Sequence, residues 1–300
     1  MDYKQEYVNF LSKHLKINRP LKVVFDASNG PTGSIVRDLF ASTNVEAIVI
    51  NDTIDPDFKS HGPNPLLPHA SDECKRVILE HKADLGVMFD ADGDRAFFLD
   101  DKGEMIPACF VSGLMFKVFP PPYVLDELVY QSAKLLKLTS DQNMIPSRIG
   151  AYFIKQELRE RGLSFGAEYS GHYYFKDFFN ADSGIFATVL FLNAFSAQEQ
   201  SLSGWCAAFG SHVIDTQEFH VDSLDEVPHM YKEIETKYEK QAKEVVKRDG
   251  ITLVFDDVWV NIRSSNTEPI VRIICGGSKM EVSRLSGEMR GFLASIFNLK

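Results

Sequence analysis

The stretch ADLGVMFDADGDRAFFLDDKG, residues 83–103, decides how this chain is read. It opens on an unbroken apolar run, Leu85 to Phe89, of the kind that fills a strand covered on both faces of a parallel sheet. The run ends in Asp90, Asp92 and Asp94, with Gly93 letting the backbone turn tightly between them. Carboxylates packed this closely repel one another unless a hard cation neutralises them. A short all-oxygen loop suits Mg²⁺, which takes carboxylates together with a substrate phosphate. Arg95 follows directly, beside the ion and placed to meet a phosphate.

Alternatives for this loop stay open on the residues alone. An acidic surface turn is the plainest. An EF-hand fits poorly, because Arg95 stands where its glycine belongs, Asp101 occupies the last position, and a strand precedes the loop. A phosphatase of the haloacid-dehalogenase type fits better, with Asp90 as nucleophile and Asp92 as acid, although that family has threonine where this chain has Asp94.

Outward from the loop, strand and helix patterns alternate. Tyr7, Val8, Leu11 and Leu15 fall at helical spacing, LKVVFD reads as a buried strand ending at Asp26, and SNGPTG turns it into a helix. NVEAIVIND supplies a second strand, and a helix from Asp72 to His81 precedes the strand quoted above. Beyond the prolines of FPPPYVL the alternation resumes, with helices expected near Glu127 to Leu138 and Tyr152 to Arg161. From Asp222 the texture changes. A long charged helix is expected to run to about Lys247, then strands in ITLVFDDVWVNIR and PIVRIIC, then a final helix marked by Val282, Leu285, Met289, Phe292, Leu293 and Ile296. The expected fold is therefore α/β: two mixed or parallel α/β sandwich domains, residues 1–118 and 119–212, followed by a smaller α+β domain, residues 213–300. No short-period repeat appears, and any kinship between the two α/β units lies below what one sequence shows.

Composition narrows the function classes. With 300 residues, 44% of them hydrophobic and 25% charged, the chain has material for two or three domains. A formal net charge of −10 offers no overall field to attract nucleic acid or an anionic membrane, so neither partner is expected. Cys74, Cys109, Cys206 and Cys275 form no C-x-x-C pair and point to a reducing, cytoplasmic setting. No apolar stretch is long enough to span a membrane.

Two further loops carry chemistry. In GAEYSGHYYFKD, Glu168, Ser170 and His172 alternate between small and aromatic residues and offer acceptors and a donor suited to hydroxyl groups, although a polar strand end would look the same. In IRSSNTEPIVR, Arg263 and Arg272 flank Ser265, Asn266 and Thr267 in a turn closed by Pro269. Arginine forks and backbone amides bind phosphate, so this is a candidate phosphate site in an acidic protein.

In this order, FDADGDR, GAEYSGHYYF and RSSNTEP resemble the metal-binding, sugar-binding and phosphate-binding loops of the α-D-phosphohexomutases, the phosphomannomutase/phosphoglucomutase family. VVFDASNGPTG and HGPNPLLP add to the likeness, which covers nearly the whole chain and aligns its three units with the family's second, third and fourth domains. The resemblance implies an isomerase that interconverts hexose 1- and 6-phosphates through a phosphoserine, with a hexose bisphosphate as intermediate and primer. It gives Mg²⁺ to Asp90, Asp92 and Asp94, the transferring phosphoryl group to Arg95, sugar contacts to Glu168, Ser170 and His172, and substrate contact to Arg148. Arg263, Ser265, Asn266, Thr267 and Arg272 would grip the substrate phosphate. Two departures stand out. The family's nucleophile lies in a T-x-S-H-N-P loop of an N-terminal domain, and no stretch of residues 1–300 matches it fully. Ser60, in KSHGPNP, sits where the second domain has its own H-x-P-N-P segment, so it is expected to be structural. Turnover is thus expected only when a phosphoserine domain is supplied, on a separate polypeptide or on sequence missing here. In SRIGAYFIK, moreover, Ala151 occupies the place of a family histidine, so a binding protein without turnover is the second expectation.

Overall fold

The computed structural model describes residues 2–221, 223–265 and 268–297. Asp2 caps α1 (Tyr3–His14) by accepting from the Gln5 amide, and Val8 and Leu11 bury its inner face. Then come β1 (Leu21–Asp26), α2 (Thr32–Phe40), β2 (Val45–Ile50), α3 (Asp72–His81), β3 (Leu85–Phe89), β4 (Ala96–Leu99) and α4 (Ala108–Met115). The sheet order is β2-β1-β3-β4, with β1 parallel to both β2 and β3 and β4 antiparallel to β3. Every residue of β3 is buried, as its unbroken apolar run requires.

The second unit comprises β5 (Tyr123–Asp126), α5 (Glu127–Leu135), β6 (Met144–Ser147), α6 (Ala151–Arg161), β7 (Phe165–Ala167), β8 (Tyr173–Phe175), β9 (Ala181–Asp182), α7 (Gly184–Ser196) and α8 (Leu202–Ala207). In its order, β6-β5-β7-β8-β9, the first four strands repeat the first sheet, again three parallel strands followed by an antiparallel one, and β9 adds an edge antiparallel to β8. The two units are thus versions of one topology, and the acidic loop and the E-x-S-x-H loop occupy the same place in each, between the third strand and the fourth.

They also share one hydrophobic core, which runs from Leu11 through Phe98 to Phe191 and Trp205. Its centre is α7, apolar all round, where Asn193 alone is not fully buried. Asn193 in turn fastens the end of α1, donating to the His14 carbonyl at 2.7 Å and accepting from the Lys16 amide at 2.7 Å.

The C-terminal unit has a separate core and an all-antiparallel sheet, β10-β14-β13-β12-β11. Its elements are β10 (Val213–His220), α9 (Val227–Tyr238), β11 (Glu244–Val246), β12 (Ile251–Val254), β13 (Val258–Ser264), β14 (Ile270–Gly277) and α10 (Lys279–Ile296). The expected helix to Lys247 is wrong: α9 stops at Tyr238. The Lys243 amide pairs with the Val254 carbonyl at 2.8 Å and β11 completes the sheet edge, so cross-strand pairing overrides the helix propensity of the charged run. No helix among the described residues is long and apolar enough to cross a membrane.

Candidate functional site

Asp90 emerges from β3 only 3% exposed, with its carboxylate already engaged. One oxygen accepts from the Gly93 and Arg95 amides, both at 3.2 Å, and the other from Arg95 Nε at 2.5 Å. The turn depends on Gly93, whose φ of +78° disfavours other residues and where a Cβ would lie 2.3 Å from the Thr32 methyl. Pro63 ties the loop from outside by accepting from the Ala91 amide at 3.0 Å. Asp92 is exposed and Asp94 half-buried. One oxygen from each of the three aspartates lies within 4.8 Å of the others. Burial and Asp90, with Asp92 adding to them, push the Asp94 carboxyl above its usual range, while His172 opposes the shift. The protein's own cations therefore leave negative charge uncompensated, and this oxygen set fits a hard divalent cation.

The E-x-S-x-H loop meets the acidic loop directly. Arg95 and His172 form an antiparallel bridge, and the Ala96 amide donates to the Gly171 carbonyl at 3.1 Å. His172 is the hub: its Nε2 lies 3.4 Å from Asp94 and 3.7 Å from Asp182, while its Nδ1 is hydrogen-bonded to Ser170 Oγ at 3.0 Å. Ser170 and His172 reach the rim of the cleft, half-buried. Glu168 lies deeper, 2% exposed, and accepts from the Gly150 amide at 2.6 Å and from the Tyr174 hydroxyl. Two further residues join this cluster: Asp182, which sequence reasoning passed over, and Lys155, which by sequence could equally be a solvated surface charge and whose ammonium pairs with Asp182 at 2.7 Å. Their available signals were weak, an aspartate one residue before the Ser183 helix cap and a lysine one turn into α6.

Arg263 and Arg272 face each other across β13 and β14 in register, so both project from one row of the sheet. Arg263 Nη1 lies 4.0 Å from Asp249, and its Nε is buried without a hydrogen-bond partner among the described residues. Arg272 is paired with Glu218 at 2.6 Å. The Ser265 amide donates to the Ile270 carbonyl at 2.7 Å, holding the turn, while Asn266 and Thr267 lie outside the described residues. Arg148 is exposed, with its guanidinium 4.5 Å from the centre of the Phe153 ring, and Ala151 begins α6 beside it. Ser60 is a tether: its hydroxyl donates to Asn29 at 2.6 Å. Next to it, His61 Nε2 bonds the fully buried Asp26 at 3.1 Å.

Asp126, at the end of β5, is buried between the same groups. It accepts from the Val129 and Tyr169 amides, both at 2.8 Å. Burial and then Glu168 push its carboxyl up to about 7, against those two amides and Arg263.

Comparison with known proteins agrees with this architecture. Family models described as phosphoglucomutase/phosphomannomutase α/β/α domain II, α/β/α domain III and C-terminal domain match residues 5–103, 132–211 and 216–291. A phosphomannomutase of Salmonella typhimurium is 31% identical over 287 residues, and one of Escherichia coli 30% over 291. These alignments cover 90% and 91% of this chain, which spans 62% of the length of each relative. A crystal structure of a phosphoglucomutase/phosphomannomutase family protein from Burkholderia thailandensis superposes with a TM-score of 0.81 at 24% identity, over 98% of this chain and 65% of that one, which shows a shared fold. The N-acetylphosphoglucosamine mutase of Aspergillus fumigatus, solved with GlcNAc-6P and magnesium, gives 0.63 at 14% identity, over 94% and 67%.

Proposed function

The chain belongs to the phosphoglucomutase/phosphomannomutase family, the α-D-phosphohexomutases, and from that premise we propose that it binds Mg²⁺ and a hexose phosphate and supplies most of a hexose 1-phosphate/6-phosphate mutase site. The observation that carries this reading is the junction of the two loops, where Asp94 lies 3.4 Å from His172 across the Arg95–His172 bridge. On this reading Asp90, Asp92 and Asp94 hold the divalent ion, which when bound offsets negative charge on the transferring phosphoryl group. Arg95, fixed by Asp90, faces that group and stabilises charge on it. Ser170 and His172 meet sugar hydroxyls at the rim, with Glu168 behind them and Arg148 at the edge. Arg263 and Arg272 take the substrate phosphate with Ser265, Asn266 and Thr267, and Arg263 Nε, buried without a hydrogen-bond partner among the described residues, is a donor that a phosphate oxygen would satisfy. The family models that match the chain are those of phosphoglucomutase/phosphomannomutase domains, and this supports the mutase reading over the phosphatase alternative with Asp90 as nucleophile.

Three experiments test the reading. Calorimetry on Asp92→Ala should show Mg²⁺ binding lost. Arg263→Ala removes a charge-assisted pair and should weaken glucose 6-phosphate or mannose 6-phosphate binding by about 2 kcal/mol or more. In a coupled assay primed with a hexose bisphosphate, the purified 300-residue polypeptide should turn over glucose 1-phosphate poorly and gain activity when a domain with a phosphorylated T-x-S-H-N-P serine is added. Robust turnover by the polypeptide alone, abolished in Ser60→Ala, would refute this reading. Ala151, at the first turn of α6, favours the second reading, a sugar-phosphate-binding protein, and hexose phosphate binding without turnover under any complementation would select it.

A further inference from the structure

Two pairs of adjacent residues, one on each side of the boundary between the second unit and the C-terminal unit, join the hydroxyl-binding loop to the phosphate-binding arginine. Asp126 is the last residue of β5 and is 1% exposed. Its Oδ1 accepts from the Val129 amide and caps α5, while its Oδ2 accepts from the Tyr169 amide, inside the loop that carries Glu168, Ser170 and His172. Glu127, the next residue and fully buried, forms an ion pair with Arg248 of the C-terminal unit and accepts from Gln131 at 2.8 Å. On the far side, Asp249 follows Arg248, accepts from the Ile149 amide at 2.9 Å and stands 4.0 Å from Arg263. The contacts therefore run in one line from Tyr169 through Asp126, Glu127, Arg248 and Asp249 to Arg263. Leu128, Trp259 and Ile274 pack as a small buried cluster along the same boundary.

We propose that Asp126 and Glu127 are positioning residues: they fix the distance and angle between the loop that meets the sugar hydroxyls and the arginine that meets the phosphate. The inference rests on the reading above, that these two sites take opposite ends of one hexose phosphate. A ligand spanning both gains from their fixed separation, because the ordering cost is met in the folded protein before it binds. A ligand that touches only the arginine side gains nothing from it.

That asymmetry supplies the test. With Mg²⁺ present, calorimetry compares glucose 6-phosphate with inorganic phosphate on the wild-type chain, Asp126→Asn, Glu127→Gln and the double variant. Asparagine offers one acceptor oxygen where aspartate offers two, so one of the two amide bonds is lost without a change of volume. The expected result is a loss of about tenfold in glucose 6-phosphate affinity in each single variant, with inorganic phosphate unchanged. The double variant should be little worse than either single one, because both break the same line. Arg248→Lys, on the partly exposed side of the ion pair, keeps the charge while losing the planar fork, and should reproduce the Glu127→Gln pattern should that variant fold poorly. Equal losses for both ligands, or full additivity in the double variant, would overturn the proposal. So would wild-type glucose 6-phosphate affinity in Asp126→Asn, which would leave the functional reading intact. A wild-type chain that binds no glucose 6-phosphate would instead overturn that reading, and this inference with it.

Discussion

Substituting Gly184 with alanine tests whether α7 sets the position of the acidic loop. Gly184 begins α7, and its amide donates to the Gly93 carbonyl at 3.0 Å. A Cβ on Gly184 would stand 2.4 Å from the Arg95 carbonyl oxygen, 2.7 Å from its carbon and 2.9 Å from the Gly93 oxygen. All three are backbone atoms of the acidic loop, so no side-chain rotation relieves the clash, and loop and helix must part by something near an ångström. Overpacking of this kind costs roughly 1–3 kcal/mol. For a unit of this size each kcal/mol lowers the melting temperature by about 2–4 °C, so calorimetry should show a drop of several degrees. Because the displaced segment carries Asp94 and Arg95, Mg²⁺ affinity should fall as well, by about tenfold for each 1.4 kcal/mol taken up by the loop. Gly287→Ala is the control: in α10 a Cβ there meets nothing within 4 Å, and alanine should stabilise that helix by up to about 1 kcal/mol. Wild-type melting and Mg²⁺ binding in Gly184→Ala would refute the reasoning. Lowered melting with full Mg²⁺ affinity would place the strain in α7 and refute its control of the loop.

Burial alone pulls the His61 imidazole down, but its hydrogen bond to Asp26 and the charges of Asp26 and Glu73 leave it raised above its usual value. A raised imidazole contributes stability that is complete below about pH 6.5 and is lost as pH climbs through the folded value. Relative to His61→Gln, the wild-type chain should therefore lose melting temperature as pH rises from about 6 to about 8, and parallel curves would dismiss the Asp26–His61 bond as a source of stability. Arg248→Met strands the buried Glu127 carboxylate and should cost roughly 3–5 kcal/mol at neutral pH in denaturant unfolding. Part of that loss should return on acidification, since burial already raises the Glu127 carboxyl and protonation removes the uncompensated charge; a pH-independent loss would count against the mechanism.

Much of the site could be read from the chain because its loops are contiguous. Asp90, Asp92, Asp94 and Arg95 lie within one turn, and Glu168, Ser170 and His172 within another, so their spacing marks both loops as candidates, and the resemblance of the ordered loops to one family supplies the expected roles. The contacts between loops could not be read. Nothing in YVLD marks Asp126 as the acceptor for Tyr169, and nothing near Arg248 announces Glu127 as its partner 121 positions earlier. Long-range pairs are fixed by topology, which local patterns do not carry. The same reason explains α9: residues 239–243 suit a helix by propensity, and only the edge of β12 shows why they leave it. Strand β10 escaped notice because, of the half-buried sites that alternate from Asp215 to His220, Asp215 and Gln217 are polar, so no apolar alternation marks it.

The core shared by the first two units bears on how this protein can be taken apart. The Phe98 and Phe191 ring centres are 4.0 Å apart, the first from β4 and the second from α7, and the Tyr7 hydroxyl of α1 is bonded to Ser183 at 2.6 Å. A polypeptide ending near residue 118 would carry β4 and α1 without the helix they pack on, and would present Phe98, Val111 and Leu114 to water. Expressed by itself, such a fragment should aggregate or stay unfolded, whereas residues 213–300 take a complete core with them. Swapping sequence modules between relatives at residue 118 therefore demands matched aromatic surfaces on both sides of the join, and a swap near residue 213 demands a smaller set of boundary contacts, among them those of Trp259, Arg248 and the Lys134–Glu244 pair.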